Sequence, residues 1–395
     1  MKQLSVIIVS YNVKYYLEQC LSAVVKALSR LDAEIIVFDN HSRDGSVAYL
    51  SKRFPDVNFI SSNHNVGFAK ANNRAIHQSS GRYVLLLNPD TIVGEHTLYD
   101  AVSFMEQHPK AGGVGVRMLR TAGSTALDSR RGVPTPFTAF YKMTGLCERF
   151  PRSHRFGKYY MSYLPWDQPE QIEIISGAFC LLRREALEQV GLLDEDFFMY
   201  GEDIDLSYRL LKGGWENWYL PLMILHYKGE STQKSSFRYV HVFYESMLIF
   251  FKKHFGHLSW LLTAPVQAAI YFKATLSLFS MLFGRARRSL GFVSEGRTDD
   301  ALFVFYVKPS NLKRCQEFVR RKGLWAEFHD DNKLVTEDSN AARSNRVVYV
   351  VYDASAYSYD EILQRISNGA HQMLVAIYYP ERDMLITDRE VISFL

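Results

Sequence analysis

The first ninety residues alternate between short apolar runs and stretches in which apolar residues recur every three or four positions. Four apolar runs end in polar residues and predict buried strands: LSVIIVSYN, AEIIVFDN, VNFISS and RYVLLLNPD. The stretches between them, which start near Val13, Asp44 and Gly67, predict helices. Strands that alternate with helices predict an α/β fold with a mainly parallel, doubly wound sheet and helices on both faces.

Polar side chains follow these predicted strands where each strand ends. Ligands of doubly wound sheets bind beyond the carboxyl ends of the strands, so we expect these residues on one edge. Their carboxylates, amides and tyrosine suit a ribose, a base and a divalent cation; they are Ser10, Tyr11, Asn12, Asp39, Asn88 and Asp90. Each short motif alone is also ordinary turn chemistry, so the interpretation depends on their joint occurrence in order. The sequence has no GxGxxG after the first strand and no GxxxxGK[ST], which disfavours dinucleotide and P-loop sites.

Residues 175–215 form the second informative segment. AFCLLRR predicts a strand, REALEQVG a short helix closed by Gly191, and GEDIDLSYRLLKGG a helix that begins at Glu202. Glu202 and Asp203 then lie in a first turn, where the helix dipole favours negative charge. A carboxylate kept ionised there can act as a general base, although acidic residues are also common in first turns for structural reasons.

His226 follows an apolar run that predicts a strand, which would deliver its side chain to an edge of the sheet. One histidine with one or two carboxylates is a chemically reasonable site for Mg²⁺ or Mn²⁺. A structural histidine is the alternative that this residue alone leaves open.

Six motifs occur in the order found in family-two glycosyltransferases with the GT-A fold, which the chain resembles over roughly residues 4–255. The motifs are SVIIVSYN, FDNHSRDGS, NHNVGFAKANNRAI, LLLNPDT, SGAFCLLRREALEQVGLLDEDFFMYGEDIDLSYRL and HYKGEST. The chain looks most like the rhamnosyltransferase-like branch that acts in bacterial surface polysaccharide assembly. SRRGVPTPFTAFYKMTGL, residues 129–146, is similar to a segment of that branch.

The resemblance implies an inverting transfer of a sugar, with rhamnose as a guess, from a nucleoside diphosphate to a saccharide or lipid-linked acceptor. Asp39 would hold the nucleoside. Asp90 would coordinate Mg²⁺ or Mn²⁺ between the two phosphates, with His226 completing the coordination. Asp203 would take the proton from the acceptor hydroxyl in a single in-line displacement, and Glu202 is the second candidate base or an orienting partner.

Further donor-binding residues follow from the same resemblance. Asn65, Lys70 and Gly177 lie within its motifs and are expected at the donor. Arg130 and Arg131 are expected to clamp phosphate, since an arginine fork matches phosphate oxygens bidentately.

One motif departs from the common pattern of the family. Many relatives carry Asp-x-Asp where this chain has Asn88, Pro89 and Asp90. Asparagine is neutral and a weaker ligand for a hard cation, so the departure bears on metal affinity rather than on the fold.

We expect three parts in the chain: a GT-A catalytic domain at 1–238, a helical segment at 239–296 and a small α/β domain at 297–395. Residues 258–283 are predominantly apolar, but Pro265 and Lys273 interrupt them, and a membrane span needs ~20 apolar residues in one run. Helices lying in the membrane interface, with basic flanks on anionic lipid, are favoured; a span, a buried core and a dimer contact stay open. For the last part we favour docking, oligomerisation or regulation, and a homo-oligomer stays open.

Composition fits a folded protein with a full core, since 47% of the 395 residues are hydrophobic and 22% are charged. A net charge of +4 is too mild to indicate nucleic acid. Four cysteines without a CxxC pair indicate free thiols in a reducing compartment. The apolar run at the N-terminus is too short for a signal peptide. We therefore expect a cytoplasmic protein, peripheral on the inner face of the cell membrane.

Two other functions stay open. A nucleotidyltransferase would need a glycine-rich basic loop after the first strand, which SYNVKYYLEQ lacks. A catalytically inactive scaffold would bind lipid or another transferase through the C-terminal third. The presence of Asp39, Asp90, Asp203 and His226 argues against it.

Overall fold

The computed structural model describes residues 2–227, 237–256, 271, 275, 301–329, 346–369 and 373–394. Within these ranges the chain forms two α/β units, each built on its own sheet. Residues 228–236, which include the last five residues of the motif HYKGEST, lie outside the described residues, and so does the predicted interfacial segment 258–283 apart from 271 and 275. None of the helices in the described ranges combines the length and hydropathy that a membrane crossing requires.

The first unit is built on a sheet of nine strands in the described part of the chain. These strands are β1 (Leu4–Ser10), β2 (Ala33–Asp39), β3 (Asn58–Ser61), β4 (Tyr83–Leu87), β5 (Thr91–Val93), β6 (Ala111–Leu119), β8 (Glu170–Ile172), β10 (Phe179–Arg183) and β11 (Glu216–His226). Their order is β3-β2-β1-β4-β10-β6-β11-β5, with β8 paired to β11. A separate ribbon pairs β7 (Arg130–Arg131) with β9 (Ile174–Ile175).

Helices cover both faces of this sheet. They are α1 (Lys14–Ala27), α2 (Ser46–Leu50), α3 (Phe68–His77), α4 (Thr97–Gln107), α5 (Pro136–Met143), α6 (Leu146–Arg149), α7 (Arg184–Val190), α8 (Glu202–Lys212) and α9 (Phe237–Phe255). The strands and helices predicted for the first ninety residues and for residues 175–215 are all present, with ends shifted by a few residues.

The predicted α/β class with a mainly parallel sheet is confirmed, and the direction of one strand decides the geometry of the site. Strands β3, β2, β1 and β4 run parallel, so their carboxyl ends share one edge. β10 lies between β4 and β6 and runs antiparallel to both. The beginning of β10 therefore reaches the edge at which β4 ends.

The two faces of β1 show why the sequence folds this way. All seven residues of the strand are buried. Leu4, Val6 and Ile8 join the core on one face, and Ile7 and Val9 join the core on the other. Because side chains alternate along a strand, an unbroken apolar run is stable only when both faces are covered.

The second unit is the small α/β domain that the sequence predicted. Its elements are β12 (Leu302–Tyr306), α10 (Pro309–Lys322), β13 (Trp325–His329), β14 (Val348–Asp353), α11 (Tyr359–Asn368), β15 (Leu374–Tyr379), β16 (Met384–Ile386) and β17 (Val391–Ser393). The strand order is β13-β12-β14-β15-β16-β17, with the first four parallel. The domain bounds 1–238, 239–296 and 297–395 remain a prediction.

The two units share one continuous core and several directed contacts. The carboxylate of Glu95 accepts the N–H groups of Tyr359 and Asp360 at 2.9 Å each, so the first unit caps helix α11 of the second. The hydroxyl of Tyr16 donates to the carbonyl of Thr387 at 3.0 Å. These bonds join segments far apart in sequence and fix the second unit against α1, β5 and α4.

Glu18 on α1 is the central charge of this contact. Its side chain is fully buried and lies 2.7 Å from Nε of Arg53 and 2.8 Å from a guanidinium nitrogen of Arg382, in the second unit. The hydroxyl of Tyr49 also donates to the carboxylate. A buried carboxylate requires such partners, because its desolvation would otherwise cost several kcal/mol.

Replacing Glu18 by Gln should lower the free energy of unfolding by about 3 kcal/mol, since two partly buried guanidinium groups lose their counter-charge. Chemical denaturation followed by circular dichroism measures the change. Asp32→Asn is the matched control: Asp32 pairs with Lys2 at 2.5 Å, but its side chain is 65% exposed, so the loss should stay below about 1 kcal/mol. Equal losses in the two variants would contradict the role of Glu18.

Candidate active site

The carboxyl edge of β1 and β2 forms the first part of the site. Ser10 and Asp39 are paired in register at the ends of these strands. One carboxylate oxygen of Asp39 accepts the N–H of Ser42 at 3.1 Å. The other oxygen is buried and has no hydrogen-bond partner among the described residues, and neither does the hydroxyl of Ser10. Buried acceptors without partners are costly, so this edge is built to receive hydroxyl or N–H donors from a ligand.

The turn after β1 is held by its neighbour after β2. Asn12 adopts a left-handed backbone with φ of 54°. Its N–H donates to the hydroxyl of Ser42, and its side-chain carbonyl accepts the N–H of Arg43 at 2.7 Å. Tyr11 is 40% exposed beside it. Asn12 therefore shapes the loop, and Tyr11 has an exposed ring at this edge of the sheet.

Asn65 belongs to a loop that Asn40 ties to the same edge. The amide of Asn40 donates to the side-chain carbonyl of Asn65 at 3.0 Å and accepts the N–H of Val66 at 2.8 Å. Gly67 has φ of +88° and lies against the Phe198 carbonyl, so only glycine fits. Lys70, on the helix that follows, is at the surface, 3.7 Å from Glu195.

Asp90 and His226 lie side by side because β5 pairs antiparallel with β11, with Thr91 opposite His226. Nε2 of His226 is 3.4 Å from a carboxylate oxygen of Asp90 and 3.4 Å from the amide nitrogen of Asn88. Asp90 is 2% exposed. The backbone carbonyl of Asp90 also accepts the N–H of Tyr227 at 3.0 Å, which fixes the two chains here.

These two side chains fit one side of a divalent-cation site. In the described ranges, no group of three or more His, Cys, Asp or Glu side chains is arranged to hold a metal ion by itself. Magnesium sites in phosphate chemistry commonly have one or two protein ligands, and substrate phosphates and water supply the rest. A carboxylate with an imidazole is therefore a suitable donor set for Mg²⁺ or Mn²⁺ when a diphosphate is bound.

Asp203 is held in place from two directions. One carboxylate oxygen accepts the N–H of Gly177 at 3.0 Å and pairs with the guanidinium of Arg131 at 2.5 Å. The other oxygen accepts the N–H of Ile204 in the first turn of α8. Burial opposes the charge of Arg131, yet the carboxylate of Asp203 raises the pKa of Arg131 above its ordinary value, so the guanidinium stays charged. The carboxylate remains 15% exposed, which leaves it accessible to a substrate hydroxyl.

Glu202 lies next to Asp203 in a contrasting environment. It is 5% exposed, and one of its oxygens has no hydrogen-bond partner among the described residues. Burial, and then the charge of Asp203, raises the pKa of Glu202 to about 8. Glu202 is therefore mostly protonated near neutral pH.

A series of hydrogen bonds and contacts links Asp203 with the residues around Asp90. Gly177, which donates to Asp203, immediately precedes Ala178, whose carbonyl accepts the N–H of Asn88 at 3.0 Å. Asn88 in turn contacts His226. A short series of contacts thus connects Asp203 to Asn88 and His226.

Arg130 requires a correction, because the structure separates it from Arg131. It is fully buried, its guanidinium donates to the carbonyls of Leu164 and Pro165, and it lies 3.7 Å from the ring centre of Trp166. Successive residues of a strand point to opposite faces, so only one arginine of β7 can face Asp203. We assign Arg130 a structural role rather than phosphate binding.

An N-acetylglucosaminyl-diphospho-decaprenol L-rhamnosyltransferase of Mycobacterium tuberculosis is 30% identical to this chain over 308 residues, which cover 74% of this chain and 98% of that protein. A family model described as Glycosyl transferase family 2 matches residues 5–191. The chain belongs to glycosyl transferase family 2. The resemblance inferred from the motifs is thereby confirmed.

Two further proteins are similar to this glycosyltransferase. The low-salt glycan biosynthesis hexosyltransferase Agl10 of Haloferax volcanii is 26% identical over 211 residues, covering 52% of this chain and 61% of Agl10. A mannosyltransferase of Pyrobaculum calidifontis, solved with GDP-Man and Mn²⁺, is 18% identical with a TM-score of 0.42, covering 72% of this chain and 80% of that chain.

Sequence reasoning missed the group that holds α8 in the glycosyltransferase. Asp205 is fully buried, and its carboxylate accepts from Arg209 at 2.7 Å, His254 at 2.7 Å and Lys253 at 2.8 Å. Burial opposes its charge, yet the hydrogen bonds from His254 and Lys253 hold the pKa of Asp205 well below its ordinary value. This ionised carboxylate holds α8, whose first residue is Glu202, against α9. From the sequence alone, only the four-residue spacing of Asp205 and Arg209 indicates a pair on one helix face.

The stability of the Glu202→Gln variant relative to the wild type should increase as pH rises. The folded carboxyl has a pKa of about 8 against an ordinary value of 4.5. The folded state therefore binds more protons between these values, and rising pH costs the wild type stability that the glutamine variant keeps. Melting temperatures at pH 5, 6.5 and 8 measure the difference between variant and wild type.

The exposed Glu185, in the first turn of α7, provides the matched control variant Glu185→Gln. Its difference from wild type should be the same at the three pH values. A difference for Glu202→Gln that stays constant or shrinks toward pH 8 would contradict the protonated state of Glu202.

Proposed function

We propose that this family 2 glycosyltransferase transfers a sugar from a nucleoside diphosphate donor to an acceptor hydroxyl with inversion at the anomeric carbon. The observation that carries the proposal is the convergence of Asp39, the Asp90–His226 pair and Asp203 along one edge of the sheet. Rhamnose is the proposed sugar and a lipid-linked or saccharide acceptor the proposed acceptor, supported by the 30% identical rhamnosyltransferase. We place the reaction in bacterial cell-surface polysaccharide synthesis, at the inner face of the cell membrane.

The nucleoside would bind at the ends of β1 and β2. The unpartnered carboxylate oxygen of Asp39 accepts from a ribose hydroxyl or a base N–H, and the hydroxyl of Ser10 lies beside it. The ring of Tyr11 lies at the rim, where it can cover a base. Asn65 and Lys70 lie on the loop and helix that complete this side, with Lys70 available to a phosphate.

Asp90 and His226 would hold the divalent cation, with Asn88 as a neutral neighbour. A cation bound there offsets the charge that develops on the leaving diphosphate, as a Lewis acid does. Backbone pairing of β5 with β11 brings the two side chains to neighbouring positions.

Asp203 would remove the proton from the acceptor hydroxyl as that oxygen attacks the sugar. Its position is set by the Gly177 N–H and by Arg131, so the lone pairs are aimed before substrate binds. Burial raises the pKa of the neighbouring Glu202, so Glu202 holds its proton near neutral pH and is less suited to act as a base. Glu202 is thus proposed as an orienting partner and Asp203 as the base.

Asp203→Asn should reduce turnover by about 10²- to 10⁴-fold, the usual contribution of a positioned general base. Its affinity for the nucleoside diphosphate should stay within about twofold of wild type, since Asp203 lies outside the nucleoside-binding end. An inactive scaffold would show no loss of turnover. Release of nucleoside diphosphate from a panel of sugar nucleotides, including a rhamnosyl donor, measures turnover, and calorimetry measures affinity. Asp196→Asn, an exposed carboxylate before α8, is the control. Unchanged turnover in Asp203→Asn would contradict its role as the base.

Asp90→Asn and His226→Ala should remove the increase in nucleotide-induced thermal stability that Mn²⁺ or Mg²⁺ gives the wild type. The stabilisation by nucleotide in the presence of chelator should remain, because Asp39 still holds the nucleoside. Thermal unfolding with UDP, GDP or dTDP, with each cation or with chelator, measures both. A wild type that responds equally to nucleotide with cation and with chelator would contradict the metal site.

A further inference from the structure

A patch of aromatic side chains, three exposed and two half-buried, covers α5, α6 and the turn after them. Phe137, Phe140 and Phe150 are 62%, 54% and 45% exposed. The ring centres of Phe140 and Tyr141 are 6.2 Å apart, those of Tyr141 and Phe156 are 5.0 Å apart, and those of Phe156 and Phe150 are 5.6 Å apart. Single exposed apolar residues are normal, but a contiguous cluster marks an interaction surface. We call Phe137, Phe140, Tyr141, Phe150 and Phe156 the aromatic patch.

The local sequence fixes the outward direction of these rings. Thr135 caps α5 through its side chain, which accepts the N–H of Thr138, and Pro136 occupies the first turn. With this start, Thr138 and Ala139 face the protein interior and are buried. Positions 137, 140 and 141 then share the opposite helical face by their spacing of three and four residues. The exposure follows from the register of the helix.

Basic residues surround the patch. Residues 136–160 contain five Lys or Arg residues and one acidic residue, so this stretch alone has a net charge of +4, equal to that of the whole chain. Arg149, Arg152 and Arg155 are exposed. Arg155 donates to the Tyr141 hydroxyl at 3.1 Å and lies 5.6 Å from the ring of Phe156. Positive charge is thus fixed at the edge of the apolar surface.

The combination identifies the kind of partner. Aromatic rings flanked by arginines are suited to the interface of a bilayer, where rings enter the headgroup region and guanidinium groups meet anionic phosphates. A symmetric contact with a second copy would place two surfaces of the same positive charge against each other, which is unfavourable. Charge complementarity therefore favours an anionic lipid surface.

The patch is close in the chain to the base. α5 begins five residues after Arg131, the partner of Asp203, and Val133 between them is buried against Phe197 and Ile174. A short, packed segment therefore joins the aromatic patch to Arg131 and, through it, to Asp203.

We propose that the aromatic patch and its arginines dock the catalytic unit onto an anionic phospholipid surface. This docking is separate from the one expected for residues 258–283. It depends on the proposed function only for its purpose: contact with a membrane would give the enzyme access to a lipid-linked acceptor.

Sedimentation of the full chain with lipid vesicles tests the proposal. The vesicles are phosphatidylcholine alone or with 30% phosphatidylglycerol, a composition we choose as strongly anionic. The wild type should bind the anionic vesicles at least tenfold more tightly. Phe137→Ser combined with Phe140→Ser and Phe150→Ser should weaken this binding at least tenfold, and so should Arg149→Gln combined with Arg152→Gln.

The matched control changes an exposed ring with an arginine over it on the second unit, Trp325→Ser with Arg346→Gln. Its binding should stay within twofold of wild type. If the serine variant loses its unfolding transition, the arginine variant decides. Patch variants that bind like wild type, no preference for anionic vesicles, or a change in oligomeric state in place of vesicle binding would each overturn the proposal.

Vesicle binding is measured without donor, so its outcome is independent of the proposed sugar transfer. A protein that binds anionic vesicles through the patch but releases no nucleoside diphosphate from any donor would contradict the proposed function and leave this inference intact. The reverse result would contradict the inference alone.

Discussion

The site depends on the position of one carboxylate. Asp203 accepts the N–H of Gly177 just before β10, pairs with Arg131 on β7, and lies in the first turn of α8. Because β10 is antiparallel to β4, its beginning lies beside the residues that follow β4, Asn88 and Asp90. The contacts that hold Asp203 therefore also set its location relative to Asp90 and His226.

The neighbouring carboxyl groups of Glu202 and Asp203 are separated chemically by their surroundings. Arg131 pairs with Asp203, while burial, and then the charge of Asp203, raises the pKa of Glu202. The buried Asp205, bound to α9, keeps this first turn of α8 from shifting.

Sequence periodicity predicted the elements and the shared edge, because both follow from local spacing and from the rule that parallel strands end together. It did not separate Arg130 from Arg131, although alternation along a two-residue strand does so once the strand is known. The caps and ion pairs between the units, such as Glu95 with Tyr359 and Glu18 with Arg382, join residues more than 260 positions apart. No local pattern encodes such pairs, since they depend on how the two units pack.

The central claim is that a nucleoside diphosphate and a cation share one crevice that ends at Asp203. Crystals grown with Mn²⁺ and a nucleoside diphosphate test it directly, because manganese gives an anomalous scattering signal. The account predicts one strong manganese peak in contact with Asp90 and His226, with the nucleoside against Asp39 and the diphosphate between them. A manganese peak away from Asp90, or a nucleotide bound on another face of the sheet, would contradict it.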